Sequence, residues 1–340
     1  MNESLITYIE DTLNLRSMFS SISKVNRKSE IMKVWARWII THRSLCSQYN
    51  LILPDDGEYD SQLIVELQEK GESSSHSYYL HEWLIRQSVE INKKNKLIAT
   101  VEYGGTHGEI PINVNLYNGN ITLSVKKNKS MVQIIPASVY NRMSRNYNGL
   151  PLYKNSYIWL CTTMYDILDG KGLQWAVPPT VMDLLKSNLG CHTELFASPL
   201  NAYNNKYYSL FPFDKMFGSR GNFFTSPDSH FKKGAYQINP PFIDQLFTKT
   251  SERVLKLLDI ADQSGQELTF IYIMPEWKDF ITYNMVSESP FCVKRIHLRS
   301  RQHNYYQYSS NSYIPARFGS YMFFLSTNSK ICSNTLESSI

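Results

Sequence analysis

Gly234-Ala235-Tyr236-Gln237-Ile238-Asn239-Pro240-Pro241-Phe242-Ile243-Asp244-Gln245-Leu246-Phe247 decides how the second half of this chain reads. The first five residues have strand character. The stretch that follows carries apolar Leu246, Phe247, Val254, Leu255 and Leu258 at helical spacing. Between them sits Asn239-Pro240-Pro241-Phe242, a turn whose prolines fix φ and leave no backbone N–H to compete for partners. Pro at a first helical position and Asn as an N-cap also start ordinary helices, so the tetrapeptide has a purely structural reading too. By composition, a given position reads Asn-Pro-Pro-aromatic with a probability of order 10⁻⁵.

Outward from this turn the pattern alternates. Helices are expected at 157–168 and, after a Pro-Pro start, at 178–189. Thr193–Ala197 reads as a buried strand ending in Ser198-Pro199-Leu200-Asn201, and Leu268–Ile273 as another running into Met274-Pro275-Glu276-Trp277. Cys292–Leu298 and Tyr321–Ser326 read as a closing antiparallel pair. Strands and helices in this order predict a class I (Rossmann-like) α/β domain. Its ligands would sit beyond the carboxyl ends of the strands, so the 198–201 and 239–242 loops should share one crevice.

The N-terminal half differs. Residues 1–50 read as helices, with Ile31, Val34, Trp35, Trp38 and Ile39 at helical spacing, and a further helix carries Trp83. Short strands are expected at 97–102, 110–116, 120–125 and 131–136, with turns at Gly104-Gly105 and Asn118-Gly119. Gly104-Gly105-Thr106-His107-Gly108 lacks the lysine and following helix of a phosphate-binding loop and reads as a turn. The expected organisation is a mainly helical domain with a small β-element over 1–150, an α/β domain over 151–328, and a flexible tail over 329–340.

The 340 residues are 42% hydrophobic and 19% charged, the composition of a folded chain. A net charge of +5 suits a short stretch of nucleic acid better than a long duplex. Lys93-Lys94-Asn95-Lys96 and Lys126-Lys127-Asn128-Lys129 read as solvated turns. Cys46, Cys161, Cys191, Cys292 and Cys332 form no CxxC pair, which favours a reducing compartment and predicts no metal site. With no secretory leader and no apolar run of about 18 residues, an intracellular protein of nucleus or cytoplasm, bound to no membrane, is expected.

The turn has a chemical reading. The N6 amino group of adenine is a poor nucleophile because its lone pair is delocalised into the ring. Accepting hydrogen bonds from both of its N–H groups draws the nitrogen toward sp³ and aims the lone pair at a methyl donor. The Asn239 side-chain oxygen and the Pro240 carbonyl are acceptors of the right kind, Pro241 stiffens the turn, and Phe242 offers a face on which a base stacks. The proton becomes acidic only after transfer, so no general base is needed. This is catalysis by positioning.

Gly172-Leu173-Gln174, Phe196-Ala197-Ser198-Pro199-Leu200-Asn201, Phe217-Gly218-Ser219-Arg220-Gly221, Asn239-Pro240-Pro241-Phe242 and Pro275-Glu276-Trp277 follow one another in order, with fainter echoes at His303-Asn304-Tyr305 and Phe323-Phe324-Leu325. In this they resemble the cap-specific adenosine N6-methyltransferase family, also called the phosphorylated-CTD-interacting-factor family, over about residues 155–327. The resemblance implies S-adenosyl-L-methionine as cofactor. It implies a capped RNA 5′ end (m7GpppA or m7GpppAm) as partner, and methylation of N6 on the (2′-O-methyl)adenosine beside the cap. It explains why Ala-Ser-Pro stands where most such domains have Gly-x-Gly. It places Ser198, Pro199, Asn201, Phe217, Gly218 and Ser219 toward the cofactor, and Arg220, Glu276, Trp277 and His303 toward the substrate.

Some features depart from the family. Trp35 and Trp38 stand too close to be the spaced pair of a WW module, so docking on polymerase by that route is not expected. Ile243-Asp244-Gln245 replaces a Cys-Glu-Glu stretch, and Tyr306 stands where an arginine would be expected. Methylation of internal RNA or DNA adenine, or a cap- or RNA-binding scaffold without activity, are the alternatives. The AT-rich usage would suit a viral or protist copy. Oligomeric state is not legible.

Overall fold

The chain divides into two compact units that interleave along the sequence, Met1–Ile134 with Gly149–Lys171 and Ile135–Asn148 with Gly172–Ile340. The computed structural model describes residues 2–45, 52–54, 57, 59–95, 110–126, 128, 130–168, 174–277 and 281–329. The expected strand at 97–102, the Gly104–Gly108 turn, Gly172-Leu173, Cys46, Cys332, Lys96, Lys127, Lys129 and the tail from 330 onward lie outside these residues.

The first unit is helical with a small sheet. α1 (Asn2–Ile22), α2 (Lys28–Leu45), α3 (Ser61–Glu69) and α4 (Ser74–Lys94) precede β1 (Ile112–Tyr117), β2 (Asn120–Val125) and β3 (Val132–Pro136), which form one sheet in that order. The Asn118-Gly119 turn joining β1 to β2 takes φ of 48° and 75°, the left-handed pair that a tight hairpin demands and that Asn-Gly adopts cheaply. On α2 the expected stripe is the buried face: Ile31, Val34, Trp35, Trp38 and Ile39 are all core residues. After α5 (Ala137–Asn146) comes α6 (Lys154–Ile167), which the sequence pattern assigned to the α/β domain. It packs in the first unit instead, buried continuously from Ile158 to Tyr165 as a helix apolar all round must be. Trp35 Nε1 donates to the carbonyl of Ile167 at 2.9 Å and ties α2 to its end.

The second unit is mixed α/β. Its elements are α5, β4 (Trp175–Ala176), α7 (Pro179–Leu189), β5 (Thr193–Glu194), β6 (Lys206–Tyr207), β7 (Gly234–Ile238), α8 (Asp244–Gln263), β8 (Leu268–Pro275), α9 (Ile281–Ser287), β9 (Cys292–Leu298), β10 (Asn304–Gln307), β11 (Ser312–Pro315) and β12 (Ser320–Ser326). Six strands form one sheet in the order β6-β5-β7-β8-β12-β9. β6, β5, β7 and β8 run parallel, and β12 is antiparallel to both β8 and β9. All residues of β8 are buried, as expected of a strand covered on both faces.

Alternation along the strands makes two cores. Ile238, Phe270, Tyr272 and Phe323 pack under Phe247, Val254 and Leu258 of α8. Ile271, Ile273, Met322 and Phe324 pack under Val181, Met182 and Leu185 of α7. From β5 the chain goes to β6 on one side and then to β7 on the other. That reversal falls between the carboxyl ends of β5 and β7, the place where such sheets receive their ligands. A second small sheet, β11-β10-β4, packs on the α7 core through Tyr305 and Trp175.

Candidate active site

Asn239 follows directly on the last residue of β7. Its Nδ2 donates to the Trp175 carbonyl at 3.0 Å, while its Oδ1 is buried and accepts no hydrogen bond among the described residues. An orphaned buried acceptor costs about 1–3 kcal/mol, so proteins keep few of them. Pro240 is buried and Pro241 half-buried, and the Pro241 carbonyl accepts from Ile243 N at 2.7 Å, curling the turn into α8. No described donor reaches the Pro240 carbonyl.

Phe242 is half-buried in an aromatic nest. It meets Trp277, Tyr305 and Phe318 near right angles, at 6.1, 5.9 and 5.6 Å between ring centroids. Edge-to-face rings hold one another more firmly than their buried area alone would. Trp175 stacks on Tyr305 and Phe318 at 5.8 and 6.5 Å and so continues the nest to the residue that anchors Asn239.

The loop after β5 is satisfied within itself. Ser198 N donates to Asn201 Oδ1 at 2.7 Å, and Ser198 Oγ lies 3.0 Å from the same oxygen. Ser198 Oγ also lies 2.7 Å from Gln174 Oε1, and Asn201 Nδ2 donates to the Gln174 carbonyl at 3.2 Å. The dipeptide Gln174-Trp175 therefore holds both strand-end loops, one residue bonding Ser198 and Asn201 and the next bonding Asn239. Pro199 is buried. Arg142 of α5 donates to the Pro199 and Leu200 carbonyls at 3.2 and 2.5 Å, with its guanidinium 4.6 Å over the Tyr308 ring.

Beneath this loop lies Glu194, the last residue of β5. Its Oε2 accepts from Tyr203 N at 2.9 Å and Asn204 N at 2.7 Å. Burial pushes its carboxyl up to about 7, against the pull of those two N–H groups and of the nearby Arg142 charge. Two buried amide nitrogens around it, Asn204 Nδ2 and Gln237 Nε2, donate to nothing among the described residues.

The other expected positions spread along the same end of the sheet. Phe217 is 1% exposed, with its carbonyl taken by the Tyr207 hydroxyl, so it is core. Gly218 takes φ of 95°, and Ser219 Oγ is 2.6 Å from Ser209 Oγ. Arg220 is exposed, close to the Tyr208 hydroxyl. Glu276 pairs with His297 at 3.1 Å and lies 3.5 Å from the Tyr321 hydroxyl. Trp277 abuts Phe242, as above. His303 is buried, and burial holds its pKa below the usual value. Its Nδ1 lies 3.0 Å from the Arg299 carbonyl, so that nitrogen carries the proton, and Nε2 lies 3.0 Å from Ser320 Oγ. Tyr305 OH, at 2.9 Å from the same Ser320 oxygen, completes a relay that fixes the Tyr305 ring. His303 thus acts on the nest through Tyr305.

Sequence reasoning missed Trp175, Gln237 and Asn204. Gln237 alone had a signal, an amide in an otherwise apolar strand two residues before Asn239. A cavity of about 160 Å³ lined by His303, Tyr305, Ile273 and Met322, and an open groove of about 430 Å³ beside Leu255 and Ile281, include no residue of the 239–242 turn.

A six-stranded sheet with helices on both faces makes this unit a mixed α/β domain. The family model described as the phosphorylated CTD interacting factor 1 WW domain matches residues 138–308, just over half the chain. The chain belongs to the phosphorylated CTD interacting factor 1 family. It is 33% identical over 159 residues to a mouse protein named mRNA (2′-O-methyladenosine-N(6)-)-methyltransferase, a match covering 44% of this chain and 21% of the relative. The human protein of the same name is 32% identical over 159 residues with the same coverage. The match spans about a fifth of the length of these relatives. Trp35 and Trp38 lie on one helix, both buried, with ring centroids 5.6 Å apart.

Proposed function

We propose that this chain is an S-adenosylmethionine-dependent RNA methyltransferase that modifies N6 of the adenosine, or 2′-O-methyladenosine, beside an mRNA cap, on a class I Rossmann-like domain. The observation that carries this reading is the buried, unpartnered Oδ1 of Asn239, next to a carbonyl on a rigid Pro-Pro turn. Two acceptors and no donor at one point suit an exocyclic amino group, which offers two protons. The fold supports it through four parallel strands with a reversal between β5 and β7 and an antiparallel closing strand. The names of the mouse and human relatives supply the substrate class.

In this reading Asn239 Oδ1 and the Pro240 carbonyl each accept a hydrogen bond from the N6 amino group, and Phe242, held by its aromatic neighbours, stacks on the base. S-adenosylmethionine, when bound, supplies an electrophilic methyl. The buried donors Asn204 Nδ2 and Gln237 Nε2, beside the 198–201 loop, fit a polar ligand there. Ser198 and Asn201 shape that loop rather than reach the ligand with their side chains, because their polar atoms are already paired. Trp175 keeps the Asn239 amide the right way round.

The test is transfer of labelled methyl to m7GpppAm-RNA and to the same RNA uncapped. Incorporation into the capped strand alone, released as N6,2′-O-dimethyladenosine, supports the reading. Equal incorporation into uncapped RNA moves the target to internal adenines.

A further inference from the structure

From Ser289 to Leu336 the chain contains no aspartate or glutamate. Five cations fall between Ser289 and Ser320 alone: Lys294, Arg295, Arg299, Arg301 and Arg317. They divide into two groups. Lys294 and Arg295 lie on β9, the outer strand of the sheet, where charge opposes edge-to-edge pairing and needs no other explanation. Arg299, Arg301 and Arg317 lie past the strand ends, where edge protection has no use for them.

These three arginines stand on a built platform. Arg301 N donates to the Ala316 carbonyl at 2.7 Å and Ala316 N to the His303 carbonyl at 3.0 Å, so the loop after β9 is laced to the loop before β12. All three are exposed, and no described carboxylate pairs with any of them. Arg301 holds φ of 62°, a left-handed conformation that glycine or asparagine adopts more cheaply. The platform joins the candidate site directly. Phe318, the neighbour of Arg317, packs on Phe242 at 5.6 Å, and β12 begins opposite the carboxyl end of β8, where Ser320 pairs with Pro275.

We propose that Arg299, Arg301 and Arg317 bind the phosphate backbone of the RNA strand running through the site, close to the nucleotide held at Asn239. This rests on the function proposed above, since it is the target nucleotide that brings a strand to this end of the sheet. Unpaired guanidiniums on a rigid surface suit phosphate oxygens, which they grip two at a time. Neutralising single-strand phosphates gives a salt dependence of about 0.7 in slope per contact.

The experiment compares the full chain with the triple variants Arg299→Gln/Arg301→Gln/Arg317→Gln and Arg299→Lys/Arg301→Lys/Arg317→Lys. Binding of a short uncapped single-stranded RNA is measured across a salt series, alongside S-adenosylmethionine affinity as a check on folding. The glutamine variant should bind about tenfold or more weakly, with a slope of log Kd on log salt reduced by about 2, at unchanged cofactor affinity. The lysine variant should keep the wild-type slope. An unchanged slope in the glutamine variant overturns the proposal, as does loss of a phosphoserine peptide but not of RNA, which would make this a protein-docking face. A wild-type chain that shows the salt slope yet methylates no RNA would sink the catalytic reading and leave the platform standing.

Discussion

Asn239 Nδ2 donates to the carbonyl of Trp175 at 3.0 Å, and that one bond decides which way the Asn239 amide faces. Its oxygen is thereby turned to a place where no described residue offers a donor. A carboxylate at this position would keep the acceptor but set two oxygens against each other at the Trp175 contact. Asn239→Asp should therefore lose methyl transfer by about 100-fold or more, as removal of an aligned polar group in an active site commonly does. A variant with near wild-type rate would show that the Trp175 anchor is dispensable.

Glu194 gives the second unit a pH-dependent stability with a defined sign. Burial raises its folded-state carboxyl to about 7, above the ordinary 4.5. The folded state therefore holds the proton more tightly than the unfolded one. The stabilisation is fully present below about pH 4.5 and is lost as pH rises toward 7, on the order of 3 kcal/mol at most. Glu194→Gln keeps an acceptor for Tyr203 N and Asn204 N without the titration. Its melting temperature should fall less than the wild type's between pH 5 and 8, and parallel curves would refute the assignment.

Gly319 leaves room for the Glu276 side chain to lie across it. A Cβ at residue 319 would come within 2.0 Å of Glu276 Oε2 and 3.2 Å of its Cβ. Gly319→Ala should turn the Glu276 carboxylate aside and break the Glu276–His297 pair, at a cost of about 1 kcal/mol. Adding Glu276→Ala should restore most of that loss, because it removes the carboxylate and leaves only the 3.2 Å contact to the Cβ. Additive effects in the double-mutant cycle would show that some other contact is responsible.

In the first unit, Arg37 bridges two half-buried carboxylates. Its Nη1 reaches Asp60 and its Nε reaches Glu66, both at 2.9 Å. Burial alone pushes the Asp60 carboxyl up, yet the His42 hydrogen bond, the Arg37 charge and the Leu63 N–H together hold it well below the usual range. Arg37→Ala would strand both carboxylates and should cost about 3–5 kcal/mol, read from denaturant midpoints. A loss under about 1 kcal/mol would mean that water replaces the guanidinium.

Periodic and turn-forming segments were legible in the sequence. The α2 stripe, the Asn118-Gly119 hairpin, and the passage from β7 through Asn239-Pro240-Pro241-Phe242 into α8 all declare themselves locally. β4, β10 and β11 do not: Trp175 and Gln307 pair across more than a hundred residues, and a two-residue strand has no period. α5 escaped because only Val139 and Met143 of it are buried and no side chain caps it. Ser198 and Asn201 have the chemistry of ligands, but their loop consumes it. Which of two uses a polar side chain serves is a tertiary fact, and Gln237 shows the converse case of a buried amide left with a donor to spare.

The central claim is that the unspent acceptor of Asn239 receives the adenine amino group. Its most direct test is methyl transfer to m7GpppAm-RNA by the full chain and by Asn239→Ala, with S-adenosylmethionine affinity measured on both. Transfer reduced about 100-fold or more at unchanged cofactor affinity is the predicted result. Transfer undiminished in Asn239→Ala would contradict the account.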